Sequence, residues 1–437
     1  MTRAWCLAAA LLLYDGASTA AQDRPAATPL TVEDAVTRAL VTSQRIAEAT
    51  ARQEGAQAAT NLRRAAARPT VAVSGGYTRT NHVDEFGVPQ PNGSIRLIYP
   101  DIPDNFFTRV AMQWPIYTGG RVDALARAAD AEARASQAEI AIARADLRLE
   151  VVRVYWALAT GTESVRVLEQ AVERSVTHVR DMRSRFDSGL VPPNEVSNAE
   201  AQRSRQEMLL IESRNMRSSV LEDLRRLTGI GGDIQTVDRL EPEMPLAAAA
   251  EPDLGSFVRA EQQALIERRE AAEQRVRAIE AGRKPSMAVI AAGDYANPNP
   301  RIFPRADRWN TSWEVGVAAT WTLWDSGRIS AEAAEAAAAA RAIRARQAEV
   351  DAVITTDVRQ RQLDLDSARA VLVSATDAVR SATDARRVLG ERFNVGVATS
   401  TEVLDAQVTL LQAELDRTRA LANIKLADAR LARAMGQ

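Results

Sequence analysis

Apolar residues fall on two different periods along this chain. Within residues 121–187 they recur every seven, at Val151, Leu158, Val165, Val172, Val179 and Phe186, with companions at Val154, Leu168 and Met182. Residues 328–394 carry Val358, Leu365, Leu372, Val379 and Phe393, with Arg386 breaking the row. Sustained heptads predict long helices packed as coiled coils. At ~1.5 Å per residue, a helix over 121–187 spans ~100 Å. A period of two holds in other segments. Trp313, Val315, Val317, Ala319, Trp321 and Leu323 alternate with Ser312, Glu314, Gly316, Ala318, Thr320 and Thr322. Val110, Met112, Trp114 and Ile116 alternate with Arg109, Ala111 and Gln113. One apolar and one polar face over about ten residues fits a transmembrane β-strand with lipid outside and water inside.

The pattern occurs twice. Trp114-Pro-Ile-Tyr-Thr-Gly-Gly-Arg121 returns as Trp321-Thr-Leu-Trp-Asp-Ser-Gly-Arg328, an offset of 207. Arg185-Phe-Asp-Ser-Gly189 returns at the same offset as Arg392-Phe-Asn-Val-Gly396, and Leu224–Gly229 as Leu431–Gly436. Arg68-Pro69 matches Lys284-Pro285 at 216, so copy one carries nine extra residues before Trp114, which marks a surface loop. The division that follows has a leader at 1–21, repeat one at 22–229, a linker at 230–256 and repeat two at 257–437. Repeat one is expected to contain a helix over 31–66, strands over 70–80 and 108–117, the long helix 121–187 and a helix over 194–228 capped by Asn194. Repeat two is expected to contain a helix, strands over 285–296 and 310–324, the long helix 328–394, and a helix over 400–434 capped by Ser400 or Thr401.

Composition sharpens this picture. Of 437 residues, 82 are Ala, while Gly (21) and Pro (17) are few, as suits long helices. Of 20 aromatics, 13 fall in 70–117 and 285–324, the strand regions. Trp313 and Trp321, eight residues apart on one face, are separated by ~20 Å, near the spacing of two membrane girdles. Trp114 and Trp324 join them as girdle candidates. Lys+Arg number 55 against 57 Asp+Glu, so no basic field exists to hold nucleic acid. Past the leader no run of 18 apolar residues occurs, which excludes membrane helices. Arg3, the apolar stretch 4–14 and the small residues 17–21 form an export signal, with cleavage after Ala20 or Ala21. The only cysteine, Cys6, lies inside it and lacks a lipoprotein context. Four strands cannot close a barrel, and an open sheet edge is not tolerated in lipid, so the protomer must oligomerise.

These features together resemble the TolC-like outer membrane efflux proteins. The resemblance rests on the twofold repeat, the Trp…Gly-Arg junctions and the strand start Lys284-Pro285-Ser286. Its most specific part is the pair of turns Arg185-Phe-Asp-Ser-Gly-Leu and Arg392-Phe-Asn-Val-Gly-Val, the second followed by Ser400-Thr-Glu-Val-Leu-Asp-Ala406. The family implies a homotrimer in the cell outer membrane. In it a twelve-stranded β-barrel sits over a long coiled-coil α-barrel that projects into the periplasm. It implies an exit duct of tripartite efflux or type I secretion, docked on a periplasmic adaptor and an inner-membrane RND, ABC or MFS transporter. Residues 230–256 match its equatorial segment.

The family's aperture carboxylates map to Glu402 and Asp405, with copy-one counterparts Glu195 and Asn198. Spacing i, i+3 puts each pair on one helical face. Threefold crowding of such carboxylates favours cations and raises their pKa values. Adaptor-contacting tips map to Gly189, Leu190, Val191, Gly396 and Val397. The aromatic hydroxyl and Arg that latch well-known members fall on Phe393 and Ala398, so that latch has neither hydroxyl nor charge here, and Asn194 and Glu195 stand as substitutes. His82 is expected in a loop and His178 on the long helix, each without a second ligand. No nucleophile, phosphate-loop or metal-spacing motif occurs, so no enzyme activity, cofactor or metal is expected. The competing reading is a soluble periplasmic coiled-coil scaffold, which the alternating strands and girdle Trp residues disfavour.

Overall fold

The computed structural model describes residues 28–238, 240–241 and 259–436. The export signal at 1–21 and positions 242–256 of the linker lie outside the described residues. The described chain forms two compact units, each drawing on both sequence repeats. Among the described residues, one contains 28–42 with those of 151–241 and 378–422; the other contains 43–150, 259–377 and 423–436.

The long helices are α3 (Arg121–Asp187) and α6 (Arg328–Asn394). They are followed by α4 (Pro193–Thr228) and α7 (Ser400–Ala434). The single helix expected over 31–66 is two, α1 (Val32–Thr42) and α2 (Gln44–Ala65), because Ser43 is extended at ψ 120°. A Thr42-Ser43 pair favours a helix boundary, since both hydroxyls compete for backbone groups. Thr42 donates to the Arg38 carbonyl at 3.0 Å. Helix α4 starts one residue earlier than expected. Pro192 and not Asn194 holds its N-cap position, and Pro193 at the first turn needs no N–H partner. Helix α5 (Ala260–Glu280) opens repeat two.

In the first unit, β1 (Thr28–Leu30) pairs in parallel with β6 (Ile234–Thr236). Neither was foreseen, being three residues each. Buried Tyr155 of α3 donates to the Leu30 carbonyl at 2.9 Å and meets the Asp238 carboxylate at 2.8 Å. The heptad rows form the core. Val151, Leu158 and Val179 are buried, as are Val358, Leu365, Leu372 and Phe393 in their own units, but Phe186 ends its row 43% exposed.

The second unit carries the sheet, made of β2 (Thr70–Arg79), β5 (Asp104–Tyr117), β7 (Ser286–Asn297) and β8 (Asn310–Thr320). Its order is β2-β5-β7-β8, all antiparallel. A copy-one hairpin thus joins a copy-two hairpin through β5 and β7, leaving β2 and β8 as open edges. Strand β5 begins four residues earlier than expected, at Asp104, and β8 stops at Thr320, not at position 324. The shortfall in β8 has a cause. Trp321 donates its indole N–H to the Arg283 carbonyl at 3.0 Å. Asp325 turns to accept from the N–H groups of Gly327 and Ile329 at the start of α6. The loop inferred from the nine-residue surplus is itself a hairpin, β3 (Phe86–Pro89) with β4 (Ile95–Tyr99), turning at Gly93 with φ 81°.

Candidate functional site

The two helix–helix turns have one construction. Gly189 (φ 77°) and Gly396 (φ 79°) follow α3 and α6 in the left-handed region that glycine tolerates without a steric penalty. Leu190 N–H reaches the Arg185 carbonyl at 2.8 Å and Val397 N–H reaches that of Arg392 at 2.8 Å. This is the Schellman arrangement, in which the last carbonyls of the helix are satisfied by the turn itself. The hydrophobic side chains beyond it are left outward. Leu190 is 74% exposed and Val397 64%, while Val191 is half-buried.

After the second turn, Thr399 and not Ser400 or Thr401 caps α7. Its hydroxyl accepts the Glu402 N–H at 3.3 Å, while Glu402 accepts the Thr399 N–H at 2.7 Å. This reciprocal pair is a capping box. The Thr399 backbone N–H, and after it the Thr399 hydroxyl donating at 3.0 Å, hold the Glu402 carboxyl below its ordinary pKa within the protomer. That is opposite in sign to the crowding effect inferred from the family. Glu402 and Asp405 are both exposed, one helical turn apart. In copy one Asn198 is exposed, but Glu195 is half-buried, and its Oε2 is buried without a hydrogen-bond partner.

Behind the turns lies an apolar cluster of Val179, Met182, Ala199, Phe393, Ala398 and Val403. Phe393 and Ala398 are thus core residues. The Arg185 guanidinium sits 4.1 Å over the Phe393 ring and donates to the Phe393 carbonyl at 3.4 Å. His178, on the long helix as expected, is buried. Its Nε2 lies 3.1 Å from the hydroxyl of buried Ser400, and its ring is 5.8 Å from that of Phe393. Nothing local in the sequence announced this contact, because its partner is 222 residues away.

Burial lowers the His178 pKa below 6.5; Asp181 and Glu195 oppose this and Arg185 reinforces it. The unfolded chain therefore takes up this proton first as pH falls. The His178 contribution is complete above pH ~6.5 and is lost as pH drops below it. Amide exchange at 178–182 and 400–403, corrected for intrinsic rates, is expected to quicken from about pH 7.5 to about pH 5.5. His178→Gln, which cannot titrate, is expected to remove that dependence.

The sheet has two chemically distinct faces. Register places Val71, Val73, Val110, Met112, Val315 and Val317 on one face, with Trp313 76% exposed beside them. Tyr77, Phe106, Trp309 and Tyr295 stack in that order at 4.8, 6.0 and 4.8 Å near the loop end of the same face. Nothing along any one strand announces that cluster, because it forms across strands from residues far apart in sequence. Trp114 (44%), Trp321 (60%) and Trp324 (85%) are exposed at the helix end, the last two beyond β8. The other face bears Ser74, Arg109, Gln113, Asp294, Ser312 and Glu314. No described helix is long and apolar enough to cross a membrane. Among the described residues no cluster of His, Cys, Asp and Glu is arranged to hold a metal.

Comparison with known proteins bears on this arrangement. The outer membrane efflux protein family model matches residues 35–230 and 259–437. No curated protein sequence matches the chain. Among solved structures, the Campylobacter jejuni CmeC outer membrane channel is similar at 16% identity and TM-score 0.79, over 93% of this chain and 85% of that one. The Vibrio cholerae outer membrane protein VceC is similar at 22% identity and TM-score 0.77, over 93% and 96%. The open state of the Neisseria gonorrhoeae MtrE outer membrane channel gives 16%, TM-score 0.77, 93% and 88%.

Proposed function

Because the chain belongs to the outer membrane efflux protein family, we infer that it works as a passive exit duct in the cell outer membrane. The observation that carries this reading is the sheet, whose exposed apolar face, opposite polar face and two open edges fit one third of a closed twelve-stranded barrel. Three copies supply the strands that close it, and the helices then extend into the periplasm. The soluble-scaffold alternative leaves Trp313, Val315 and Val317 facing water on a sheet with unpaired edges. Fractionation is the direct test: the mature protein is expected in outer membranes as a detergent-stable trimer, and recovery from soluble periplasm would overturn the duct.

The finer assignments are proposals of the same reading. Leu190, Val191 and Val397, lifted beyond Gly189 and Gly396, offer apolar contacts suited to the helices of a periplasmic adaptor. An inner-membrane transporter of RND, ABC or MFS type supplies the energy. Glu402 and Asp405, with Glu195 and Asn198, form the periplasmic gate, and three copies of the exposed acidic pair make a ring that prefers cations. The girdle is Trp114, Trp313, Trp321 and Trp324, with the Tyr77–Trp309 stack at the outer side. E402Q/D405N is expected to reduce the cation preference of purified trimers in planar bilayers severalfold. Gln at position 402 still suits a capping box, so the helix start survives the loss of charge. Unchanged selectivity would remove these two residues from the gate.

A further inference from the structure

The loop 298–309 between β7 and β8 does not extend away from the sheet. Its residues 299–305 fold back over the polar face and are tied there at three points, before Trp309 joins the aromatic stack of the apolar face. Asn299 is fully buried; its amide donates to the Asn310 carbonyl at 3.0 Å and the Ser312 hydroxyl at 3.1 Å, and its carbonyl accepts the Arg301 N–H at 2.9 Å. Arg301 forms an ion pair with Glu314, whose other oxygen takes Arg109 at 2.5 Å; Arg109 also lies 3.5 Å from Asp294. Arg305 donates to the Tyr99 hydroxyl at 3.0 Å and the Asn105 side chain at 3.4 Å. The copy-two loop is thereby joined to the copy-one hairpin that ends at Tyr99.

An exposed loop that needed only to cap a strand pair would not bury an asparagine with every polar atom satisfied, nor lay two arginines along one face. Charged side chains on a barrel's polar face stand in its lumen. We propose that loop 298–309 is a latched constriction at the outer mouth of the duct, held on the luminal face by Arg301 on Glu314 and by Arg305 on Tyr99 and Asn105. The Arg109–Asp294–Glu314 group is its docking plate. This rests on the barrel reading, with the polar face inward. Three such loops narrow the mouth together, so solute leaving the duct must displace them. Partly exposed ion pairs are weak enough for that displacement to occur without unfolding a strand.

Cysteine accessibility from outside the cell provides the test. Gln113 lies on the polar face, deeper than the docking plate, and Val315 lies on the apolar face. Cells carrying Q113C or V315C would be treated with a bulky, charged, membrane-impermeant maleimide. With the loop intact Q113C is expected to label slowly. Adding R301Q/R305Q is expected to quicken it ~10-fold, the shift that loss of two such tethers gives. N92C at the hairpin tip is expected to label fast and equally in both backgrounds. A Q113C rate unaffected by R301Q/R305Q, with V315C protected, would overturn the latch alone. V315C labelling as fast as N92C would overturn the barrel reading. A trimer band on gels for each variant guards against misfolding, and R301K/R305K, which keeps the charges, is expected to restore slow labelling.

Discussion

Replacing Arg433 with alanine is expected to cost its helical unit about 3 kcal/mol. Arg433 leaves α7 to meet Asp146 at 2.8 Å and Glu261 at 2.5 Å, with its side chain only 12% exposed. Glu261 also takes Arg259 at 3.1 Å, and Arg259 holds Asp357 at 3.2 Å. Four helices, α3, α5, α6 and α7, are thus tied by one ionic chain inside a single unit. Removing Arg433 leaves a half-buried carboxylate short of a partner, and an unpaired buried charge costs more than the pair gave. R433M/E261Q, which removes the charge from both, is expected to recover most of the loss. Urea unfolding of the trimer, or amide exchange along α5, measures it; equal stability of R433A and the parent would show the chain to be ornamental.

The same group predicts acid sensitivity. Burial is the largest single influence on Glu261 and pushes its pKa upward. The hydrogen bonds from Arg433 and Arg259 together outweigh it and hold the carboxyl at about 2 instead of 4.5. A carboxyl with a depressed folded pKa stabilises above the unfolded value. Its contribution, roughly 3 kcal/mol, is present above pH ~4.5 and is lost as pH falls toward ~2. R433A is expected to flatten that acid limb.

Phe393→Ala is expected to loosen the turn end by about 3–4 kcal/mol. The ring is 8% exposed within the Val179–Met182–Ala199–Val403 cluster, and Arg185 and His178 both rest against it. Truncation opens a cavity and leaves Arg185 over nothing. Its copy-one counterpart Phe186 is 43% exposed, so Phe186→Ala is expected to cost under ~1 kcal/mol. Amide exchange across 393–406 in the two variants separates them. Equal effects would mean that the two turns are packed alike, contrary to the burial described. Phe393 is thus the plug of a core in this chain.

The elements legible in sequence were those with long-range periodicity. Heptads without a proline specified α3, and the two-residue alternation with concentrated aromatics specified β5 and β8. What escaped depends on contacts between distant segments. His178 looks like an isolated helix residue until Ser400 arrives from the other copy. Arg109, Asp294 and Glu314 were each placed by alternation at most, yet their meeting depends on strand register. Thr399 lost the cap assignment to its neighbours because Ser, Thr and Thr stand in a row and only the reciprocal bond to Glu402 distinguishes them. Around the two turns, the spacing of Glu402 and Asp405 was readable, but the half-burial of Glu195 was not.

The sheet order has a genetic consequence. Strands β2 and β8 are the free edges, one from each sequence copy, so every seam of a three-chain barrel joins β8 of one chain to β2 of the next. Such head-to-tail joints use two different surfaces of the same chain. A lesion confined to β2, such as a proline at Val73, spoils one seam per faulty chain, and a single open seam is enough to admit lipid. In a cell expressing equal amounts of normal and altered chains, random assembly leaves only about one trimer in eight wholly normal. Edge-strand alleles of this gene are therefore expected to be dominant over the wild type, while core alleles that fail to fold at all remain recessive.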